Sequence, residues 1–363
     1  MILKRFSAES FRNIQKCNIE FSPGVNLIHG KNAEGKTNAI EGIYIFSRGR
    51  SFRAKEDKEL VSFGSDGFHI SIEYEDVSGN NSLEYSLYGR ERRRKKNGYK
   101  INKVTDFIGN LRAVIFTPDD LSLIKRGPEE RRNFLNVAIS QYDPSYVKIY
   151  SSYKKSLENR NHILKQLREG SFFDERELYS WTESLCEYAS LICKIRKDYV
   201  KKIEPHIKRI MKEISDGNEE ISFIYKSDIK EDISVPVIKE EYKSLFEEIK
   251  EKEIISGTTL IGPHRDDIEI EINGKSAKSF ASQGQQRSIV LSMKISEGEV
   301  IKEEIGEYPI YIFDDVLSEL DEKRQKYVIS DSEDKQIIIT CCNDIGILED
   351  IKNKTVVRGG EYY

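Results

Sequence analysis

Three short runs of residues have the types and spacing to handle a polyphosphate. Gly30-Lys31-Asn32-Ala33-Glu34-Gly35-Lys36-Thr37 fits G-x-x-x-x-G-K-[ST] in full. Its glycines let the backbone turn N–H groups inward, and a helix starting there points its positive end at the same place. Lys36 is placed to reach the β- and γ-phosphates and Thr37 to set its hydroxyl on Mg²⁺. ATP with Mg²⁺ is the expected ligand, and Gly30, Lys31, Asn32, Ala33, Glu34, Gly35, Lys36, Thr37 and Asn38 form the expected cradle. The apolar run 308–313 ends in Asp314-Asp315. Asp314 is the candidate metal ligand beside Thr37, and Asp315 is placed to orient or deprotonate an attacking water. In Ser282-Gln283-Gly284-Gln285-Gln286-Arg287, a small residue and a glycine stand before a helix, which makes a second anion site. The plainer reading of the same residues is a capping box between Ser282 and Gln285.

The elements that must carry these residues can be read from periodicity. Alternating stretches at 3–7 and 16–21, a Ser22-Pro23-Gly24 turn and the apolar run 25–29 predict strands. Ala39, Ile40, Ile43, Tyr44 and Phe46 predict a helix over 37–47. Strand, glycine-bearing loop, helix is the order the first motif requires. Strands follow at 69–74, 83–88 and 113–116, and Asn97-Gly98 signals a type I′ hairpin. The middle differs in kind. Tyr146, Tyr150, Tyr153, Leu157, Leu164 and Leu167 keep a 3/4 rhythm that Asn161 interrupts, and Leu178 to Tyr199 repeat it. With a turn at Gly170-Ser171, this predicts an antiparallel helical hairpin. A third, highly charged helical stretch covers 237–252. The α/β pattern then returns: a strand at 268–272 with an Asn273-Gly274 turn, a helix at 287–301, and strands at 310–313 and 336–340. The chain thus reads as a split α/β domain, 1–125 and 255–363, with a helical arm inserted at 126–254.

Charged residues make up a third of the 363, yet the net charge is only −4. Any surface for nucleic acid must therefore be local. Three basic clusters qualify: Arg90, Arg92, Arg93, Arg94, Lys95 and Lys96; Arg48, Arg50, Arg53 and Lys55; and Arg126, Arg131 and Arg132. Each also reads as an ordinary solvated face. Cys17, Cys186, Cys193, Cys341 and Cys342 show no metal-ligand spacing, and an odd, scattered set fits a reducing compartment. No stretch reaches the apolar length of a membrane span and no signal segment opens the chain, so the expectation is a cytoplasmic protein without a membrane partner.

Longer strings give the combination a family likeness. Phe11-Arg12-Asn13, the first motif running on as Asn38-Ala39-Ile40-Glu41-Gly42-Ile43, and Gly49-Arg50-Ser51-Phe52-Arg53 are three of them. Phe116-Thr117-Pro118-Asp119-Asp120-Leu121, Gly127-Pro128-Glu129-Glu130-Arg131-Arg132-Asn133-Phe134-Leu135 and Gly262-Pro263-His264-Arg265-Asp266-Asp267 are others. With the 282–287 run and Asp314-Asp315 through Ser318-Glu319-Leu320-Asp321, the chain resembles the RecF family of recombination mediators, relatives of SMC-type ATPases. The resemblance implies an ABC-type P-loop ATPase head, a mixed sheet with flanking helices plus an antiparallel β subdomain, carrying the inserted arm. It implies ATP sandwiched between two protomers, so that Ser282, Gln283, Gly284 and Gln285 serve the partner's γ-phosphate and Asp321 lies along the dimer seam. Lys36, Asp315 and Asp321 are then the candidate catalytic residues. It further implies binding to gapped or junction DNA, slow ATP hydrolysis coupled to dimerisation, RecR and RecO as partners in loading RecA, and a place in fork repair and the SOS response. Two departures stand out. Residues 116–121 hold no Q-loop glutamine, with Asp119 or Asp120 as substitutes, and Cys341-Cys342-Asn343 stand where transport ATPases place a switch histidine. Those departures speak against a transporter subunit, the arm is too short for an SMC-like tether, and a metabolic kinase has no use for the 282–285 site.

Overall fold

The structure is a computed structural model describing residues 1–31, 33–170, 175–230, 233–330, 334–342, 351–358 and 361–363. It divides into two compact units, Met1–Ile124 with His206–Glu220 and Ala281–Tyr363, and Lys125–Pro205 with Ile221–Phe280.

In chain order the strands are β1 (Ile2–Phe11), β2 (Ile14–Glu20), β3 (Val25–His29), β4 (Gly67–Asp76), β5 (Gly79–Tyr88), β6 (Glu91–Lys96), β7 (Tyr99–Ile101), β8 (Ala113–Phe116), β9 (Ile221–Lys226), β10 (Asp267–Ile272), β11 (Lys275–Ser276), β12 (Ile310–Asp314), β13 (Ile337–Cys341), β14 (Asn353–Arg358) and β15 (Glu361–Tyr362). The helices are α1 (Lys36–Arg48), α2 (Ser122–Lys125), α3 (Pro128–Tyr142), α4 (Pro144–Arg168), α5 (Glu175–Ile214), α6 (Val235–Ser256), α7 (Ala277–Phe280), α8 (Gln283–Ile305) and α9 (Glu322–Ser330).

The first unit holds two six-stranded sheets. One is antiparallel in the order β2-β1-β4-β5-β6-β7, and the other runs β15-β14-β3-β13-β12-β8. Strands β14, β3, β13, β12 and β8 pair in parallel, and β8, β12 and β13 are buried at every position, as a sheet covered on both faces demands. α1 is buried nearly all round, and its Ala39, Ile40 and Ile43 share one core with Phe6, Phe11, Phe68 and Tyr85 of the antiparallel sheet. Gly42 lets α1 come this close, since a Cβ there would lie 2.5 Å from the Phe6 ring. The Asn97-Gly98 turn has φ of 51° and 81°, both positive as type I′ requires, and it joins Lys96 to Tyr99. The basic run 91–96, which leads into that turn, is strand β6.

In the second unit α4 and α5 lie antiparallel. Ser156 meets Ser184 at 2.8 Å, Arg160 meets Thr182 at 2.9 Å, and Leu164 packs with Leu178, a register that falls along one helix as it rises along the other. Gly170 is described with φ 74°, whereas Ser171 lies outside the described residues. Asn161, the break in the rhythm, has a partner: its Oδ1 accepts from the Thr259 amide and hydroxyl, each at 2.7 Å. Beside it, buried Arg160 pairs with buried Glu253 at 2.5 Å. α5 outruns the expected helix. Ile203, Ile207, Ile210 and Ile214 continue its buried stripe past Pro205, a residue that reads as a stop because it lacks an N–H.

The helical arm expected at 126–254 falls in a unit with other bounds and further elements. Its unit contains a three-stranded sheet, β11-β10-β9, in which β9 pairs antiparallel with β10 from Ile221↔Ile272 to Lys226↔Asp267. Arg131 of α3 also grips Asp267 with two hydrogen bonds of 2.7 and 2.9 Å. These pairings draw residues 255–280 into the second unit, while His206–Glu220 belong to the first.

Candidate nucleotide site

The parallel register lines up three strand ends in the first unit. Cys341 of β13 pairs with His29 of β3, and Thr340 pairs with Asp314 of β12. The loop after β3, the acids Asp314 and Asp315 at the end of β12 and the residues after β13 therefore emerge side by side at the carboxyl edge, where open α/β sheets bind ligands.

The loop between His29 and α1 is built by glycine. Gly35 has φ 118°, a conformation open to glycine alone, and a Cβ on Gly30 would sit 2.6 Å from the Val357 carbonyl. Ala33 also adopts positive φ, 66°. The Lys31 amide donates to Glu34 Oε2 at 2.7 Å, so an inward N–H already takes an anionic oxygen. Lys36 is buried, and its ammonium crosses the loop to the carbonyls of Gly30 and Lys31 at 2.8 and 3.0 Å and to Cys342 Sγ at 3.2 Å. Asn38 donates to Asn13 Oδ1 at 2.6 Å, and Asn13 Nδ2 donates to the Ala33 carbonyl at 3.2 Å. Asn32 lies outside the described residues.

Thr37 and Asp314 converge, the hydroxyl donating to Oδ1 at 3.2 Å. Thr340 gives the same oxygen a second hydrogen bond at 2.7 Å and accepts the Asp315 amide at 3.0 Å. Burial pushes the Asp314 carboxyl above the ordinary range and neighbouring Asp315 adds to that, while the Thr340 and Thr37 hydroxyls and the Arg53 charge pull it down. Asp315 sits at φ 54°, a left-handed conformation costly for any residue but glycine or a short polar one. Its Oδ1 accepts from the Cys342 thiol at 3.3 Å. Burial raises that thiol's pKa, and its bond to Lys36 opposes the rise. Where a switch histidine was sought, a threonine and a cysteine tie Asp314, Asp315 and Lys36 into one network.

Ser282 and Gln285 form the capping box: Ser282 Oγ accepts from the Gln285 amide at 3.2 Å, and Gln285 Oε1 accepts from the Ser282 amide at 2.8 Å. Ser282 and Gln283 are nonetheless exposed, and nothing lies within 4 Å of where a Gly284 Cβ would be. The start of the 23-residue α8 is thus both capped and open to an incoming anion. Asp321 caps α9 through the Arg324 amide at 2.9 Å and pairs with the Arg324 side chain, which reaches Ser288 of α8 at 2.6 and 2.8 Å. Asp120 caps Thr117 and pairs with buried Lys294 of α8 at 2.8 Å, which leaves Asp119 as the exposed acid of that turn.

The basic clusters are woven into their surroundings. On β6, Arg92 pairs with Asp57, Arg93 with Glu91 and Lys95 with Glu84, and Arg94 lies 4.6 Å over the Tyr85 ring. Arg53 reaches Asn38 at 3.2 Å. In the second unit Arg126 pairs with Glu130, and Arg132 donates to the Asp266 carbonyl at 2.8 Å. Sequence reasoning named Phe11-Arg12-Asn13 without roles. Phe11 is core, Arg12 clasps fully buried Glu41 at 2.7 and 2.9 Å, and Asn13 braces the loop. Thr340 and Tyr362, whose hydroxyl donates to the Gly35 carbonyl at 2.9 Å, carried no motif signal, and Cys342 only its place after the 336–340 strand.

Against known proteins, the family described as RecF/RecN/SMC N terminal domain matches residues 2–358. The DNA replication and repair protein RecF of Thermoanaerobacter sp. (strain X514) is 37% identical over 341 residues, 94% of each chain. The chain belongs to the RecF family. The solved structure of the recombination mediator protein RecF-ATPrS in the RecFOR pathway superposes with a TM-score of 0.92 at 35% identity, covering 99% of this chain and 97% of that one. The Smc head domain of Pyrococcus furiosus, at 18% identity, a TM-score of 0.58 and coverage of 99% and 95%, shares the fold. The fold is thus an ABC-type ATPase head, as this family and the SMC heads share it. Among the described residues no helix is long and apolar enough to cross a membrane.

Proposed function

We propose that this chain is an ATP-gated DNA-binding protein of recombinational repair, acting as a dimer in the cytoplasm. One observation carries the reading: Lys36, Thr37, Asp314 and Asp315 meet at one sheet edge while the start of α8 stays capped, exposed and open. On this reading each ATP lies on one protomer's 30–38 loop, and its γ-phosphate meets Ser282, Gln283, Gly284 and Gln285 of the other. Thr37 and Asp314 hold Mg²⁺, which when bound polarises the phosphate oxygens. The residues fit the ion, since a hydroxyl and a buried carboxylate converge there and a cation offsets the burial that raises Asp314. Among the described residues no group of three or more His, Cys, Asp or Glu forms a metal cage.

Lys36 binds the phosphates, Asp315 orients the attacking water and accepts its proton, and Asp321 acts along the dimer seam. The relatives' names support a mediator role, and the solved relative's name includes a bound nucleotide analogue. From the family resemblance of the sequence we infer gapped or junction DNA as the target, slow hydrolysis that reopens the dimer, and RecO and RecR as partners. The test is binding to gapped duplex with and without ATP. The wild type should gain affinity with ATP, and Lys36→Arg and Ser282→Arg should lose that gain. An ATP-independent affinity, equal in all three proteins, would refute the gating.

A further inference from the structure

The hairpin of β14 and β15 belongs to neither the phosphate motif nor the acid pair, yet it touches the loop at both ends. β14 runs parallel to β3, with Val356 in register with His29, the last residue before the loop. The next residue, Val357, is fully buried, and its carbonyl fills the space a Cβ on Gly30 would need. Across the hairpin Val357 pairs with Tyr362, and Val356 and Tyr363 exchange two hydrogen bonds of 2.9 Å. Tyr362 packs its ring on the unit's core and donates its hydroxyl to the Gly35 carbonyl at 2.9 Å. A Cβ on Gly35 would stand 3.0 Å from that hydroxyl and 3.1 Å from Asn13 Oδ1.

We propose that Tyr362 is a positioning residue for the nucleotide, and that the β14–β15 hairpin clamps the loop open for phosphate. The peptide joining Gly35 to Lys36 is planar and trans, so its carbonyl and its N–H point in opposite directions. The Gly35 carbonyl already accepts from the amides of Asn38 and Ala39 at 2.9 and 3.0 Å, as a helix start requires. The tyrosine hydroxyl adds a third donor from outside the helix. By holding the carbonyl along the helix, it fixes the Lys36 N–H in the opposite direction, toward the loop. A backbone aimed before the ligand arrives loses less freedom on binding, and that gain appears as affinity.

The inference rests on the ATP-site reading, and the test separates the two. Binding of a fluorescent ATP analogue is measured for the wild type, Tyr362→Phe and Lys36→Ala, with steady-state kinetics and urea unfolding of the nucleotide-free proteins. Tyr362→Phe keeps the ring and removes only the hydroxyl. One lost hydrogen bond weakens binding about three- to tenfold, with the larger kinetic loss in KM rather than kcat, and lowers the urea midpoint only slightly. An unchanged dissociation constant overturns the proposal, and with a lowered midpoint it would make the hydroxyl merely structural. If Lys36→Ala binds as well as the wild type, the ATP-site reading itself falls.

Discussion

Replacing Thr340 with valine keeps the volume and removes one oxygen that serves both acids. That oxygen donates to buried Asp314 at 2.7 Å and accepts the amide of Asp315, whose φ is 54°. A hydrogen bond to a charged group contributes about 1.5–3 kcal/mol, and a buried donor left unmade costs about 1–3 kcal/mol. The two share one atom and are not additive, and the apolar replacement recovers some desolvation. The net loss in the nucleotide-free protein is therefore about 2–3 kcal/mol. Urea unfolding measures it, with Thr340→Ser as the control that keeps the oxygen. The Thr340 bond favours the ionised Asp314, whose pKa burial raises. The deficit should therefore be largest at neutral pH and shrink as acid protonates the carboxyl. A Thr340→Val protein within about 0.5 kcal/mol of the wild type at neutral pH, the limit for a neutral site, would refute the reasoning.

Other predictions follow from single contacts. Arg12→Ala leaves Glu41, whose side chain is 0% exposed, with only the Ser51 hydroxyl and the Arg53 guanidinium at 4.0 Å, and should cost about 2–3 kcal/mol in thermal or urea unfolding. Glu34→Gln removes a carboxylate that competes for the Lys31 amide, so ATP should bind about two- to fivefold tighter by titration. His264 is held neutral at about 4 by burial, with Tyr153 at 2.6 Å and the Thr259 carbonyl at 3.2 Å. Its pKa is depressed on folding, so its stabilisation is complete above about pH 6.5 and falls away toward pH 4. Asp266, raised to about 6 by burial, acts in the opposite sense, its contribution being lost as pH rises through that value. The wild type minus His264→Gln stability difference should therefore fall between pH 6.5 and 4.

The 30–37 loop between β3 and α1 was legible because its signal is local: glycine, lysine and threonine at fixed spacing between a strand and a helix. Both Asn-Gly turns were legible for the same reason, and Asn273 and Gly274 adopt φ of 50° and 72° as Asn97 and Gly98 do. The unit boundary was not legible. It depends on β9 finding β10 some 40 residues on and on Arg131 finding Asp267. The last turns of α5 lie beyond the rhythm read from Leu178 to Tyr199, and buried isoleucines carry the helix there through Pro205. Thr340, Cys342 and Tyr362 are ordinary residues whose roles come from sheet register. Cys342 reaches Lys36 and Asp315 because β13 lies between β3 and β12.

The central claim is that each ATP site is completed by a second protomer, and a mixing experiment tests it most directly. Lys36→Ala loses the loop but keeps a sound α8 start, and Ser282→Arg does the reverse. A heterodimer of the two has one site with both defects and one with neither. ATP hydrolysis by an equimolar mixture should therefore rise clearly above the mean of the two proteins assayed alone. A mixture that hydrolyses ATP no faster than that mean would contradict the account.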